Sequence, residues 1–251
     1  MAGRRKEQVL PNDETLTEAY WLRFGEQPEP SVRNKLLYVS MDEIASVGPA
    51  EFNGVKVCHR LAVSASLINH YFAGRDGLIA EATAESYKRY IKNLRDAAAA
   101  HPSDPAEALR AWMLAQITWG RKSPGLAAIL NYSSAFPNIS ELIHRDFQKE
   151  ITQYFEYNMA LVILLIRSIR DETPFVVPQI EGPLSASYRA ALLADEVSVQ
   201  LATSVAWSAL GAAVWAGGQH TPSSGTRETT KRDKAMIEAH LDHAIRALKQ
   251  R

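Results

Sequence analysis

The segment Asn53–Ile79 reads NGVKVCHRLAVSASLINHYFAGRDGLI, and its pattern decides how the N-terminal part of the chain folds. Asn53 has the side chain of a helix N-cap, because its oxygen accepts hydrogen bonds from free backbone N–H groups. The stretch 61–63 is expected to form a turn, and Ser64 has the side chain of a second N-cap. The segment therefore predicts two short helices joined by a tight turn, a helix-turn-helix unit.

The second predicted helix has a core face and an exposed face. Ile68 and Phe72 are one helical turn apart, so both are expected to point into the core. The other face is available to a major groove, where an Asn side chain suits a bidentate contact with adenine and an apolar side chain suits the thymine methyl. Aromatic and basic side chains at the helix end suit phosphate contacts. The predicted DNA-contacting residues are Asn53, Lys56, Ser64, Ala65, Ser66, Leu67, Asn69, Tyr71 and Arg75.

Cys58 is the single cysteine of the 251 residues. A lone cysteine excludes an internal disulfide framework and a multi-cysteine zinc site, and it favours a reducing cytoplasm. Its position is where the first short helix must approach the second, so we expect it to pack in the core rather than to act as a nucleophile. The longest aliphatic run, Met159–Ile166, is too short to cross a bilayer and is expected to be a buried helix interior.

Several short sequence motifs follow one another between Arg33 and Ile79. A first helix closes on Gly48, the pair Val57-Cys58 precedes Ala62-Val63-Ser64, and the stretch 68–78 reads INHYFAGRDGL. This part of the chain resembles the DNA-binding domain of the TetR family of bacterial transcriptional regulators. The resemblance implies a helix-turn-helix domain at 31–80. Before it, residues 1–30 mix charges and prolines without a sustained periodicity, which predicts a flexible N-terminal arm. The resemblance also implies a helical ligand-sensing and dimerisation domain at 81–251.

The chain departs from the family pattern at four positions. The family usually has a tyrosine where Asn69 stands, a glycine where Ala62 stands and a lysine where Arg75 stands, and a β-branched residue is common at Gly54. Arg75 keeps a positive charge for phosphate. Asn69 changes a base or backbone contact, which implies an atypical operator.

The charge of the chain gives no general attraction to DNA. The 28 Lys and Arg residues balance 28 Asp and Glu residues, and the predicted DNA-binding domain is itself nearly neutral. Because phosphate neutralisation supplies much of the affinity for DNA, two copies on a palindrome are expected to be needed. The basic residues Arg4, Arg5 and Lys6 lie in the predicted flexible arm, where they either add groove contacts or form a disordered tail.

The rest of the sequence is typical of an all-α protein. Helical periodicity and Pro-Gly breaks predict one helix from Ser31 to Gly48, and further helices at 75–100, 106–121, 123–134, 139–170, 187–217 and 231–249, with no convincing strand. The helix at 187–217 is apolar on most sides and rich in small residues, which permit close helix approach. The resemblance to the TetR family implies that this helix and the amphipathic helix at 231–249 form the homodimer interface, and the composition of the first helix agrees with that role.

Aromatic and polar side chains in the middle helices suit an apolar cavity between helices, the usual form of a small-molecule site. The predicted ligand-contacting residues are Trp112, Gln116, Trp119, Tyr132, Phe136, His144, Phe155, Asn158 and Trp207. No cofactor is predicted, and the effector itself stays undefined beyond a small apolar or amphipathic molecule.

The pair Glu141 and His144 matches one half of the Glu-x-x-His set of di-iron bundles, but no second pair follows. We therefore predict neither a metal site nor an enzyme. The sequence favours a cytoplasmic, ligand-responsive repressor that binds double-stranded DNA as a homodimer and leaves a palindromic operator when the effector binds. The alternative is a helical small-molecule-binding protein or a di-iron-type enzyme whose helix-turn-helix pattern has no DNA-binding role.

Overall fold

The computed structural model describes residues 31–123, 125–126, 135–178, 183–218 and 231–249. These residues form α-helices and connecting segments without any strand, so the all-α prediction is confirmed. The predicted arm at 1–30 and most of the predicted helix at 123–134 lie outside them. The helices are α1 (Val32–Glu51), α2 (Gly54–Arg60), α3 (Ser66–Phe72), α4 (Arg75–Ala99), α5 (Pro105–Lys122), α6 (Pro137–Asp146), α7 (Gln148–Arg170), α8 (Ala186–Leu193), α9 (Glu196–Gly218) and α10 (Lys231–Lys249).

Two apolar clusters organise these helices. The N-terminal core joins α1, α2, α3 and the first turns of α4, and it also buries Leu126 and Ile139. The C-terminal core joins the rest of α4 with α5 and α7–α10 around the fully buried Trp112. Helix α4 contributes to both cores, and Trp119 of α5 packs against both. The two cores therefore share a helix and a side chain.

The helix-turn-helix unit forms as its caps predict, with one difference. The Asn53 side-chain oxygen accepts hydrogen bonds from the N–H groups of Val55 and Lys56 at 3.0 and 3.2 Å, which confirms it as the N-cap of α2. The prediction that Ser64 directly caps the second helix was wrong by one residue, because Ala65 occupies the N-cap of α3. The Ser64 hydroxyl still accepts from the Ser66 N–H at 3.3 Å, so it holds the first turn from one position further out.

Helix α1 breaks where the sequence predicts. Gly48 has φ 82° and ψ 168°, a backbone conformation that side chains with a Cβ rarely adopt, and Pro49 starts a further short turn. A Cβ on Gly125 would lie 1.9 Å from the Ile44 carbonyl oxygen and 2.6 Å from the Cα of Gly48. Only glycine fits at this contact between the end of α1 and the segment after α5.

Two long helices predicted from periodicity are each divided. The predicted helix at 139–170 is two helices, α6 and α7, which meet at Phe147 with φ −126° and ψ −3°. The predicted helix at 187–217 is α8 and α9, separated by Ala194 and Asp195. Asp195 accepts from the Ser198 N–H at 3.0 Å, so it caps α9. Both breaks lie within apolar periodicity that continues across them, which is why the pattern did not reveal them.

The turn between α2 and α3 stores strain at Ala62, whose φ is 54°. A left-handed backbone costs a residue with a Cβ about 1–2 kcal/mol, whereas glycine loses only about 0.5–1 kcal/mol of chain entropy. We expect Ala62→Gly to stabilise the protein by about 0.5–1 kcal/mol, measured as a rise in melting temperature. The matched control is Ala190→Gly, at an exposed position inside α8, where glycine costs a helix about 0.5–1 kcal/mol and should lower the melting temperature. A lower melting temperature in both variants would contradict the prediction that Ala62 is strained.

Candidate nucleic-acid interface and ligand cavity

Helix α3 has the two faces that the sequence predicts. Ile68 and Phe72 are buried in the N-terminal core. Ala65, Ser66 and Asn69 are exposed together on the opposite side. Small and amide side chains on one exposed face leave room for base edges in a major groove.

Two further predicted contacts lie at the edge of this face. Leu67 and Tyr71 are half-buried and pack against the N-terminal core. The ring of Tyr71 lies 4.7 Å from the ring of His70 and 6.2 Å from the ring of Phe72, at steep angles to both. These contacts fix the direction of the tyrosine side chain relative to the exposed face.

The basic residues of α2 are paired with acidic residues of α1. Lys56 Nζ lies 2.7 Å from Glu43 Oε1, and Arg60 lies 3.5 Å from Glu43 and 3.8 Å from Asp42. Glu43 is buried beneath these cations. The pairs stabilise the packing of α2 on α1, but they also reduce the positive potential that α2 offers to a phosphate.

Arg75 has a structural role that the sequence did not reveal. Its guanidinium group donates to the carbonyl oxygens of Pro49, Ala50 and Phe52, at the end of α1, and it also pairs with Asp76 at 3.1 Å. The side chain is 45% exposed, so one edge still faces solvent. Arg75 thus ties the start of α4 to the end of α1, and a phosphate contact would be an additional role.

A cavity of about 450 Å³ opens between α4, α5, α7 and α9. Five of the predicted ligand-contacting residues line it: Gln116, Trp119, Phe155, Asn158 and Trp207. The other lining residues are Tyr87, Tyr90, Gln148, Ile151, Thr152, Met159, Thr203, Ala206 and Leu210. Its volume lies within the range of small-molecule sites in proteins.

Three of the other predicted ligand residues are placed elsewhere. Trp112 is fully buried behind the cavity and donates its indole N–H to Asn158 Oδ1 at 2.9 Å, so it orients a lining residue. Phe136 packs against the N-terminal core. His144 is exposed on α6, 3.3 Å from Gln148 Oε1, and Tyr132 lies outside the described residues.

The sequence interpretation missed Tyr87 and Tyr90, which form the α4 wall of the cavity. Tyr90 lies over Trp119 with ring centroids 4.3 Å apart and an angle of 33° between the rings. Burial raises the pKa of both tyrosine hydroxyls, and the pKa of Tyr90 is raised further by Tyr87, so both stay protonated at neutral pH. The sequence signal that could have revealed them is their spacing, because two aromatic residues three apart on a long helix lie on the same face.

A second cavity of about 310 Å³ lies on the other side of Asn158, between α4 and α7. Unlike the first cavity, it is lined by three basic side chains of α4, Lys88, Lys92 and Arg95. Lys92 is paired with Asp96 at 2.8 Å, which reduces its pull on an anion. The two cavities thus differ in charge although they share Asn158.

The described residues give no support to a di-iron site. Glu141 and His144 are both exposed on α6, and no group of three or more His, Cys, Asp or Glu side chains within the described ranges is arranged to hold a metal ion. Cys58 is buried, as its packing role requires, and burial raises the pKa of its thiol. Among the helices described here, none has the length and apolar character needed to cross a membrane.

Parts of the chain are similar to known transcriptional regulators. It is 40% identical over 72 residues to the HTH-type transcriptional regulator BetI 2 of Chromohalobacter salexigens, which is 29% of this chain and 33% of that protein. It is 32% identical over 82 residues to BetI 1 of the same organism, which is 33% of this chain and 39% of that protein. The chain therefore matches less than half the length of either relative, and no family model matches it.

The fold as a whole has a solved counterpart. The crystal structure of a proposed transcriptional regulator from Pseudomonas aeruginosa PAO1 superposes with a TM-score of 0.50 and 19% identity, over 91% of this chain and 97% of that one. This likeness supports the arrangement of helices across both cores.

The placement of Arg75 gives two variants different expected outcomes. Arg75→Ala removes the donor to the carbonyls at the end of α1, so it should lower stability by about 1–2 kcal/mol together with any loss of DNA affinity. Tyr71→Phe removes only a hydroxyl and should weaken binding to duplex DNA about 3- to 10-fold with an unchanged melting temperature. Thermal melts and DNA titrations at one salt concentration separate the two. An unchanged melting temperature for Arg75→Ala would contradict its structural role.

Proposed function

We propose that this protein is a ligand-responsive transcriptional regulator of the TetR type that represses from a palindromic operator. The observation that carries this proposal is the link between a helix-turn-helix unit and a cavity. The exposed face of α3 is followed after two residues by α4, whose Tyr87 and Tyr90 line the cavity. The partial identity to regulators named for this motif supports the same assignment.

We propose that the protein acts as a homodimer through α9 and α10. From Val197 to its end, α9 carries no Asp, Glu, Lys or Arg, although Val197, Ser204 and Gly211 are exposed. A Cβ on Gly211 would meet nothing within 4 Å, and Met236 of α10 is also exposed. An uncharged, exposed helix face with small residues suits a second copy of the same helix pair.

A dimer would also compensate for the weak positive charge of a single helix-turn-helix unit. Lys56 and Arg60 are paired with α1, so a single unit has few cations to offer the phosphate backbone. Two units on one palindrome would add their contacts. The two α3 helices, which are the proposed reading helices, would then be separated by about 34–36 Å or a multiple of that spacing. Such a protein would work in the cytoplasm, where the chromosome of a bacterium lies.

In the proposed mechanism, a small molecule enters the cavity between α4, α5, α7 and α9. It favours the arrangement of helices that binds it more tightly, because a ligand shifts an equilibrium only by its differential affinity for two states. Since α4 both lines the cavity and carries α3 at its start, a shift of α4 would change the separation of the two reading helices. The dimer would then no longer match successive major grooves.

DNA recognition can be tested by selection of bound sequences from a random duplex pool. We expect a palindrome to be enriched, and Asn69→Ala to relax the preference at one base pair of each half-site by about 1–3 kcal/mol. The matched control is Asn93→Ala, at an exposed position on α4 away from the reading face, which should keep the wild-type profile. If no sequence is enriched, or if both variants keep the wild-type profile, the proposed reading face is incorrect.

The proposed dimer can be tested with Gly211→Arg. The side chain has open space within one subunit, so the variant should keep the melting behaviour of the monomer fold. At a close helix contact it would place a charge between two copies, and we expect the dimer dissociation constant to rise at least about 10-fold. Analytical ultracentrifugation measures the effect, with Asn93→Arg as the control on α4. A dimer as tight as wild type in Gly211→Arg would place the interface elsewhere.

A further inference from the structure

The cavity between α4, α5, α7 and α9 has an uncharged wall. None of the described residues that line it is Asp, Glu, Lys, Arg or His. Of its two tyrosines, Tyr90 is buried and Tyr87 half-buried, and both stay protonated because loss of solvent raises the pKa of each hydroxyl. A charged ligand would lose its hydration there without gaining an opposite charge, so the cavity favours a neutral molecule.

The wall is also rich in flat rings. Tyr90 and Trp119 lie nearly over one another on one side. On another side, Phe155 of α7 and Trp207 of α9 line the same cavity. Rings that face one concave space offer apolar surface to a planar ligand, with the offset or edge contacts that rings prefer.

Among the residues that the structure describes, the side-chain oxygen of Gln116 in the cavity wall lacks a hydrogen-bond partner. Gln116 is only 3% exposed, and its Oε1 accepts no hydrogen bond from any residue that the structure describes. By contrast, the Oδ1 of Asn158 is occupied by the Trp112 indole N–H. Because an amide oxygen only accepts, the group that satisfies Gln116 must be a donor.

We propose that the cavity binds an uncharged, planar aromatic molecule whose hydroxyl or N–H group donates a hydrogen bond to Gln116 Oε1. The rings of Trp119, Phe155 and Trp207 hold the flat body of this ligand. The inference rests on the proposed function, since it names the class of effector for the same cavity. It is independent of which DNA sequence the protein reads.

The test uses three naphthalene derivatives and the full-length protein without DNA, by isothermal titration calorimetry at neutral pH. The probe 2-naphthol is neutral and has a donor, 2-methoxynaphthalene is neutral and has none, and 2-naphthoate is an anion. We expect 2-naphthol to bind about 10-fold more tightly than either of the others, which is the usual contribution of one well-placed hydrogen bond.

The variant Gln116→Leu removes the acceptor and keeps an apolar side chain. It should weaken 2-naphthol about 10-fold and leave 2-methoxynaphthalene within about twofold of wild type. The matched control is Asn93→Leu, because this amide is exposed on α4 and is not among the residues that line either cavity. The control should keep the preference for 2-naphthol. Thermal melts show whether each variant is folded, and the comparison of probes on the wild-type protein stands without any variant.

Three results would overturn the proposal: no binding of 2-naphthol, tighter binding of 2-naphthoate, or a preference for 2-naphthol that survives Gln116→Leu. A separate gel shift with 2-naphthol and a selected duplex tests the response. If 2-naphthol binds as expected but leaves the DNA complex unchanged, the ligand class stands and the ligand-responsive part of the proposed function fails. Loss of DNA binding in all conditions would likewise leave the calorimetric result intact.

Discussion

The structure depends on α4 as an uninterrupted helix that is buried in both cores. Its first turns place Leu78 and Ile79 in the N-terminal core, and later turns place Tyr90 and Leu94 in the C-terminal core. Its 25 residues span about 37 Å at 1.5 Å per residue. A packed helix moves as a unit rather than stretching. A displacement of α4 where it lines the cavity would therefore also displace its first turn, next to α3.

A second contact between the cores limits which motions α4 can make. Gly125 lies against the backbone of Ile44 and Gly48 so closely that no side chain fits between them, and Trp119 packs on both cores. The end of α1 is also tied to α4 by Arg75. A movement of the N-terminal unit relative to the C-terminal core would therefore have to rearrange the glycine contact and the packing of Trp119.

The sequence predicts most of the fold because its signals are local. The Asn53 cap, the break at Gly48 and the inward pair Ile68 and Phe72 depend on neighbours within one or two helical turns. What it missed depends on residues far apart in the chain. The guanidinium group of Arg75 finds carbonyls more than twenty positions away, and apolar periodicity runs through the breaks at Phe147 and Asp195. Five cavity residues were predicted from composition alone. That they lie beside Tyr87 and Tyr90 could not be predicted, because it depends on how four helices pack together.

The paired charges of α2 bear on how such a protein would discriminate between DNA sites. Because Glu43 and Asp42 already pair with Lys56 and Arg60, a gain in affinity from phosphate contacts alone would be small for one unit. In the proposed dimer, recognition would then depend more on the exposed Ser66 and Asn69 and on the distance between the two units than on charge. Separation of the units is the quantity that α4 would control. A protein with little electrostatic attraction in reserve would therefore need only a small change in that separation to leave its site.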